Sequence, residues 1–570
     1  FRDAEYDSSA ASFRKGIDLG PPNEADYFHQ LGKAKIAGAL ALPENDRERK
    51  KQINKQAIFA LKEAIRLNPD SDSSYFEIGR AYYYRAQFEQ AAESFEKAVY
   101  LDSDYSRAFT ELAKTNEELG LFEKAVDAYS EVTRIDDNFL NRYDMGIAYL
   151  ELELYDNAVD QFNMAIELFN ESTVNESNDL DPGYPEAYYQ KGLSFYKKGE
   201  SLVNKEEQIG DMVESFENSI EALKETIKQE SSVIKKNTIF DAHYLSCLGN
   251  YKLEKYDDAI IDCELAINEN NKSSDAYFNL GLAHKANENC EEAIDNFSLS
   301  VENDSENHSA FYEKGLCQEN LENYEGALKS FQSAADLDKN NYNYYYHLGL
   351  NALETNDLDM AVDAQSKSVE IKSNNAESKF ELGKALAKLG NHEIASKSFR
   401  EAIRLNSSMQ KAHYNLGLSY RALNNLDDAI NALINAAELD KDDVEAQYLL
   451  GLSYYNTDEF EKAEEAFDKA LIINPKHFNS LYQLAMTYRE LDLMQNAIEY
   501  FSSAVKEDDL NFDAYYYYGL TYYEIAENSD ELNDYQNAVD QYRKAINLKI
   551  DSHKAHFQLG LANYRLGAKD

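Results

Sequence analysis

Apolar and polar positions along this chain follow a helical spacing that restarts every 34 residues. The segments NLGLAHKANENCEEAIDNFSLSVENDSE (279–306), NLGLSYRALNNLDDAINALINAAELDKD (415–442) and LLGLSYYNTDEFEKAEEAFDKALIINPK (449–476) align without a gap. Each carries a Leu-Gly-Leu motif, an alanine twelve residues after the glycine, a large residue four later and a small one three later. The glycine or its substitute stands at Cys247, Gly281, Gly315, Gly349, Gly383, Gly417, Gly451, Ala485 and Gly519. The alanines stand at Ala259, Ala293, Ala327, Ala361, Ala395, Ala429, Ala463 and Ala497. At about 100° per residue, each unit encodes two helices with one apolar stripe apiece. A single unit has nothing to bury those stripes against, so neighbours must stack. The expectation is an all-α solenoid.

With the glycine numbered as position 8, residues 72–105 place Tyr75 at position 4, Ile78 and Gly79 at 7 and 8, Tyr82 at 11, Ala91 at 20, Phe95 at 24 and Ala98 at 27. This pattern resembles the tetratricopeptide repeat family along essentially the whole chain. The resemblance implies a right-handed superhelical solenoid of about 14 helix-turn-helix units. Departures occur at position 4, where three repeats carry Arg142, Lys379 or Gln447.

Residues 1–23 resemble only the second helix of a repeat, with Phe13 at position 24 and Pro21 at 32; residues 553–570 resemble only a first helix. Between them, 24–239 holds repeats with polar insertions near 39–55, 170–184 and 199–211, which are expected to form loops between helices. Residues 240–511 are uninterrupted 34-residue repeats, and 512–552 is one repeat with an insertion near 526–532. The two half-repeats are complementary, and Phe13, Ile17 and Leu19 are expected to meet Phe557, Leu559, Leu561 and Tyr564 of another copy. Such a heterologous, non-closing contact yields a filament. A boundary cut from a longer chain explains the same half-repeats.

Position 5 is aromatic through the regular repeats: Tyr244, Phe278, Tyr312, Tyr346, Phe380, Tyr414, Tyr448, Tyr482 and Tyr516. Thr110 breaks this ladder. One turn on, position 9 supplies Leu248, Leu282, Leu316, Leu350, Leu418 and Leu452, and Tyr523 joins from position 12. The family resemblance places positions 2, 5, 9 and 12 along a concave groove that usually holds a partner. Two explanations stand: successive rings pack on one another, or they form a protein-binding strip. In the run DAYYYYGLTYYE (513–524), Tyr515, Tyr518 and Tyr522 fall on core positions, whereas Tyr516 and Tyr523 face the groove.

Charge narrows the partners. With 104 acidic and 57 basic residues the net charge is −47, which repels nucleic acid and anionic membranes. Residues 1–66 carry +2 and 543–570 carry +4, leaving −53 between them, so repulsion is weakest at the two ends. No apolar run is long enough to span a bilayer. No nucleotide loop, HExxH motif or calcium loop occurs, so neither a cofactor nor a catalytic residue is expected. Cys247 and Cys263, at positions 8 and 24 of one repeat, should meet, either as a disulfide or as two buried thiols. The chain opens on Phe1, as a processed or trimmed product would, which favours export. The expected function is a non-enzymatic protein-interaction scaffold, self-associating head to tail. A peptide-capturing adaptor using the Tyr/Leu groove and the repeat arm of a larger enzyme are the alternatives.

Overall fold

The computed structural model describes residues 2–43, 46–174, 184–229, 235–529 and 531–567. Among the described residues there are thirty α-helices and no strand. They fall into two compact units, Phe1–Ser305 and Glu306–Asp570. Each unit is a row of antiparallel helix pairs.

In the second unit the pairs are nearly uniform: His308–Asn320 with Tyr324–Leu337, Tyr342–Glu354 with Leu358–Ile371, Ala376–Lys388 with His392–Leu405, and so on to Phe478–Glu490 with Met494–Glu507. Three local devices set these lengths. Most first helices begin behind a capping side chain, as where Asn307 accepts from the Ala310 N–H and Asp443 from the Ala446 N–H. They stop at position 15, where Glu322, Asn356, Gly390, Asn424, Asp458 and Asp492 all have positive φ. Ala86, Gly120, Glu153, Glu254 and Glu288 do the same in the first unit. Second helices end where residues such as Asp338 and Asp440 turn extended while their N–H groups still bond back to Ala334 and Ala436.

Position 24 holds each pair together. A Cβ on Gly281, Gly315, Gly383 or Gly451 would lie 2.5–2.7 Å from the ring of Phe297, Phe331, Phe399 or Phe467. Those four rings are completely buried, so glycine is what admits them. Two repeats solve the same contact differently. Cys247 and Cys263 are joined by a disulfide with Cα atoms 5.1 Å apart. Gln365 lies under Gly349 and donates from Nε2 to the Tyr346 carbonyl at 2.9 Å.

The insertions depart from the expected loops, because most of their residues lengthen helices. Glu24–Ala41 and Arg47–Leu67 absorb the first, so the basic run 47–51 opens a helix of 21 residues. Tyr155–Val174 extends into the second, of which 175–183 lies outside the described residues. Pro185–Leu202 and Ile209–Lys228 take up the third, and Phe512–Ser529 with Leu532–Leu548 the fourth. Polar residues on the outer face of a helix look like a loop in sequence, but they are helix-compatible where i, i+4 backbone bonds continue.

From Glu24–Ala41 with Arg47–Leu67 to Phe512–Ser529 with Leu532–Leu548 there are fourteen such pairs. One further helix flanks them on each side. Arg2–Asp18 packs through Ala10, Phe13 and Ile17 on Phe28 and Leu31, and His553–Gly567 packs through Leu559 and Ala562 on Val539 and Tyr542.

Candidate protein-binding face

The aromatic ladder lies on first helices. Tyr244, Phe278, Tyr312, Tyr346, Tyr414, Tyr448, Tyr482 and Tyr516 are half-buried, whereas Phe380 is buried. Their principal contact differs from the rung-on-rung stacking expected. Six of the nine rings lean on the position-24 ring of their own repeat: Phe278 on Phe297 and Tyr312 on Phe331 at 5.8 Å, Phe380 on Phe399 at 5.9 Å, Tyr482 on Phe501 and Tyr516 on Tyr542 at 6.0 Å, and Tyr448 on Phe467 at 6.1 Å. Rings of neighbouring first helices meet less often, as where Tyr312 lies 5.0 Å from Tyr344 and Tyr482 6.5 Å from Tyr517. Beside the rings, Leu248, Leu282, Leu316, Leu350, Leu418 and Leu452 are half-buried. Burial pushes Tyr244, Tyr312 and Tyr346 up to about 12, so these hydroxyls stay protonated at neutral pH.

In the tyrosine-rich helix, Tyr515 and Tyr518 are buried, and Tyr516, Tyr517, Tyr522 and Tyr523 are half-buried. Tyr523 meets Tyr535 edge-on at 5.8 Å.

Position 12 carries a polar clasp that the sequence reading missed. Arg421 donates to the Leu449 carbonyl at 3.2 Å and to Ser453 at 2.7 Å; Arg489 reaches the Tyr517 carbonyl at 3.3 Å, Thr521 at 3.0 Å and Glu524 at 3.0 Å. In both cases positions 6 and 10 of the following repeat are targets, and Glu524 adds position 13. Glu319 does the same with reversed polarity, accepting from Asn351 at 2.6 Å and lying 3.1 Å from Nδ1 of His347. Burial pushes the Glu319 carboxyl up, but the His347 and Asn351 contacts outweigh it and hold it below its usual value. A polar position 12 followed by a polar position 10 in the next repeat was the available signal.

The break in the ladder has its own chemistry. Thr110 turns its hydroxyl to the Ser106 carbonyl at 3.1 Å, and the position-24 residue behind it is Tyr129, completely buried. Burial first, then the nearby Asp144 and Glu117, raise the pKa of the Tyr129 hydroxyl, which shares a hydrogen bond with the Glu117 carboxyl. Burial also pushes Glu117 up to about 7 and raises Asp144, which Lys114 approaches to 3.7 Å.

The residues expected at a junction between copies do not share one setting. Leu19, Phe557 and Tyr564 are 80%, 65% and 71% exposed, whereas Phe13, Ile17, Leu559 and Leu561 are half-buried. Phe13 meets Tyr27 edge-on at 6.5 Å. A Cβ on Gly560 would meet nothing within 4 Å, unlike its counterparts at position 8.

Two cavities open between consecutive second helices over the first helix that joins them. One of about 610 Å³ is lined by Phe28, Leu31 and Lys35 between Arg14 and Phe59, and another of about 750 Å³ by Tyr75, Ile78 and Tyr82. No helix among the described residues is long and apolar enough to cross a membrane.

Among curated proteins none matches the chain. Among solved structures, that of YrrB, described as a TPR protein with an unusual peptide-binding site, is 25% identical over 33% of this chain and 96% of its own, with a TM-score of 0.31. MamA is 28% identical over 30% of this chain and 92% of its own (TM-score 0.29), and yeast Tom70 is 18% identical over 81% and 96% (TM-score 0.28). Tetratricopeptide repeat profiles match residues 76–138, 278–342, 342–375, 380–478, 478–509 and 531–567. With the repeat matched over more than half of its length, the chain belongs to the tetratricopeptide repeat family.

Proposed function

We propose that this protein is a non-catalytic interaction scaffold that holds an extended protein segment against its first-helix face. The observation that supports it is the bracing of the ladder. Phe278, Tyr312, Tyr448 and Tyr516 each rest on a position-24 ring behind them, beside a half-buried leucine, so rigid apolar area is presented with little side-chain entropy left to lose. Peptides selected from a random library on the full chain should protect the first helices, such as Gln410–Ala422 and Val444–Asn456, from hydrogen exchange. Leu418→Glu with Leu452→Glu should weaken that binding about tenfold or more. Protection confined to second helices would refute this reading.

Self-association is a second reading, supported by Gly560. Its open surface, with exposed Phe557 and Tyr564 alongside, is the half of the contact that Phe297 completes for Gly281, and Phe13 occupies the equivalent of Phe297 on Arg2–Asp18. Copies would then join head to tail into a filament, with the most acidic part of the chain kept away from the junction. Sedimentation should show mass rising with concentration, abolished by Phe557→Asp with Tyr564→Asp. A monomer at every concentration, or the same faces covered by flanking chain, counts against it.

A further inference from the structure

One cation on the first-helix face lacks the partner that its counterparts have. It deepens the first-helix reading, on which it rests, by naming a side chain that the bound segment carries. Three position-12 donors end on a carboxylate at position 13 of the following repeat. Tyr83 donates to Glu118 and Tyr455 to Glu490, each at 3.5 Å, and Nη2 of Arg489 donates to both oxygens of Glu524 at 3.0 Å. Arg421 is held as Arg489 is, with Nη1 on the position-6 carbonyl and the position-10 hydroxyl of the following repeat, Leu449 and Ser453. Opposite it at position 13 stands Asn456, exposed and uncharged. No carboxylate among the described residues pairs with Arg421, and burial lowers its pKa, offset in part by the Tyr448 phenol.

We infer that Arg421 takes the carboxylate of one glutamate or aspartate side chain on an extended protein segment lying along the first-helix face. Bonding to Leu449 and Ser453 does not call for a charge, since a neutral donor satisfies a carbonyl and a hydroxyl equally well. A half-buried cation without a counter-charge costs stability, so its retention points to a use. Both of its bonds leave from Nη1, and the edge formed by Nε and Nη2 is open. That edge grips a carboxylate at two points, as Arg142 shows on Asp137 with two bonds of 2.7 Å. Glu524 on Arg489 is the same pairing made inside the chain.

The surroundings narrow the segment further. Half-buried Tyr414 and Leu418 lie on the helix that carries Arg421, and half-buried Tyr448 and Leu452 on the next first helix, so apolar residues should flank the acid. A single carboxylate fits better than an acidic run, which a chain of net charge −47 would repel. The two arginines can also be exchanged in role. Asn456→Glu gives Arg421 the carboxylate that Arg489 has, and Glu524→Gln takes it from Arg489.

The test uses the full chain and the photoreactive peptide acetyl-Gly-Leu-Glu-Bpa-Leu-Gly-amide (Bpa, benzoylphenylalanine), whose capped ends leave glutamate as its one charge. Salt is kept near physiological, where the Debye length is about 8 Å. Adducts mapped by mass spectrometry should concentrate within residues 410–456, and their yield should fall about tenfold when glutamine replaces glutamate. Asn456→Glu should remove that preference. In a Glu524→Gln chain shown by thermal melting to be folded, glutamate-dependent adducts should also appear within 478–524. The glutamine arm needs no variant and so stands even if one misfolds. Equal yields from glutamate and glutamine overturn the inference, as do a preference that survives in Asn456→Glu and a folded Glu524→Gln chain that gains no adducts. A glutamine peptide with a free C-terminal acid that labels as strongly as the glutamate peptide overturns it too, by assigning the site to chain ends. Adducts on other first helices, or none, overturn it but leave the first-helix reading to the library selection. Adducts only on second helices overturn both.

Discussion

Two helix pairs of the first unit, Ser274–Ala286 with Cys290–Asn303 and Ser106–Glu118 with Phe122–Ile135, share the same lengths, yet they bury different chemistry. In the former, Phe278 leans on Phe297 at 5.8 Å and Phe297 fills the space above Gly281. Both rings are apolar, so the contact serves stability. In the latter, a threonine replaces the outer ring and the inner ring gains a hydroxyl that is bonded to Glu117, a carboxyl held near 7. One pair is built for packing, and the other gives up some packing for polar surface. Backbone geometry is insensitive to the exchange, because position 24 needs only a ring-sized volume against a small position 8.

Breaking the packing pair should have the largest effect. Phe297→Ala empties a fully buried site and should cost about 3–5 kcal/mol, seen as faster hydrogen exchange in Cys290–Asn303 and its neighbours. Next comes the covalent version of the same contact. Reducing Cys247–Cys263, which closes a loop of 16 residues, should remove about 3 kcal/mol from that pair, as read by urea titration with and without reductant.

The polar pair should respond in the opposite direction. Glu117 has a folded-state pKa above its usual value, so the folded state binds the extra proton and loses stability as pH rises from about 4.5 through 7. Glu117→Gln should therefore be nearly neutral at pH 5 and stabilise by about 1–2 kcal/mol at pH 8, after allowing for solvent screening of a partly exposed group. Melting curves at the two pH values check the sign. Tyr129→Phe removes the hydrogen bond that lowers the Glu117 pKa, so the loss of stability between pH 5 and pH 8 should grow in the same melting curves. The smallest change concerns the turns common to both pairs. Glu322→Gly, at φ 57°, should gain about 0.5–1 kcal/mol in thermal melts.

Much of the fold was legible because it is periodic. The glycines and alanines in steps of 34 mark the small sides of two helices, and the position-24 rings mark the large side that fits between them. The helix count followed from those residues alone. The position-15 turns were not legible: Glu, Asp, Asn, Ala and Gly all serve there, so no residue type marks a left-handed turn that the helix-ending backbone bonds impose. The insertions were misjudged for a related reason. A polar run such as 47–51 carries no mark that separates an added helical turn from a loop, and the neighbouring helix surface decides between them. At the candidate site, the ladder residues were visible as a column, but their partners were not. The Arg421 and Arg489 clasps and the Glu117–Tyr129–Asp144 cluster join positions far apart in sequence.

What the sequence determined by itself is the repeat, because a period of 34 with small and large residues at fixed offsets admits one way of pairing two helices and burying their stripes. Tertiary structure decided which of the repeated residues are braced and which are left wanting. Thr110 and Tyr129 each look like tolerable variants of a repeat position. Only when three helices converge does the loss of one ring coincide with a buried hydroxyl beside two carboxyls whose pKa values burial raises, since hydrogen bonding and desolvation depend on distance in space rather than along the chain.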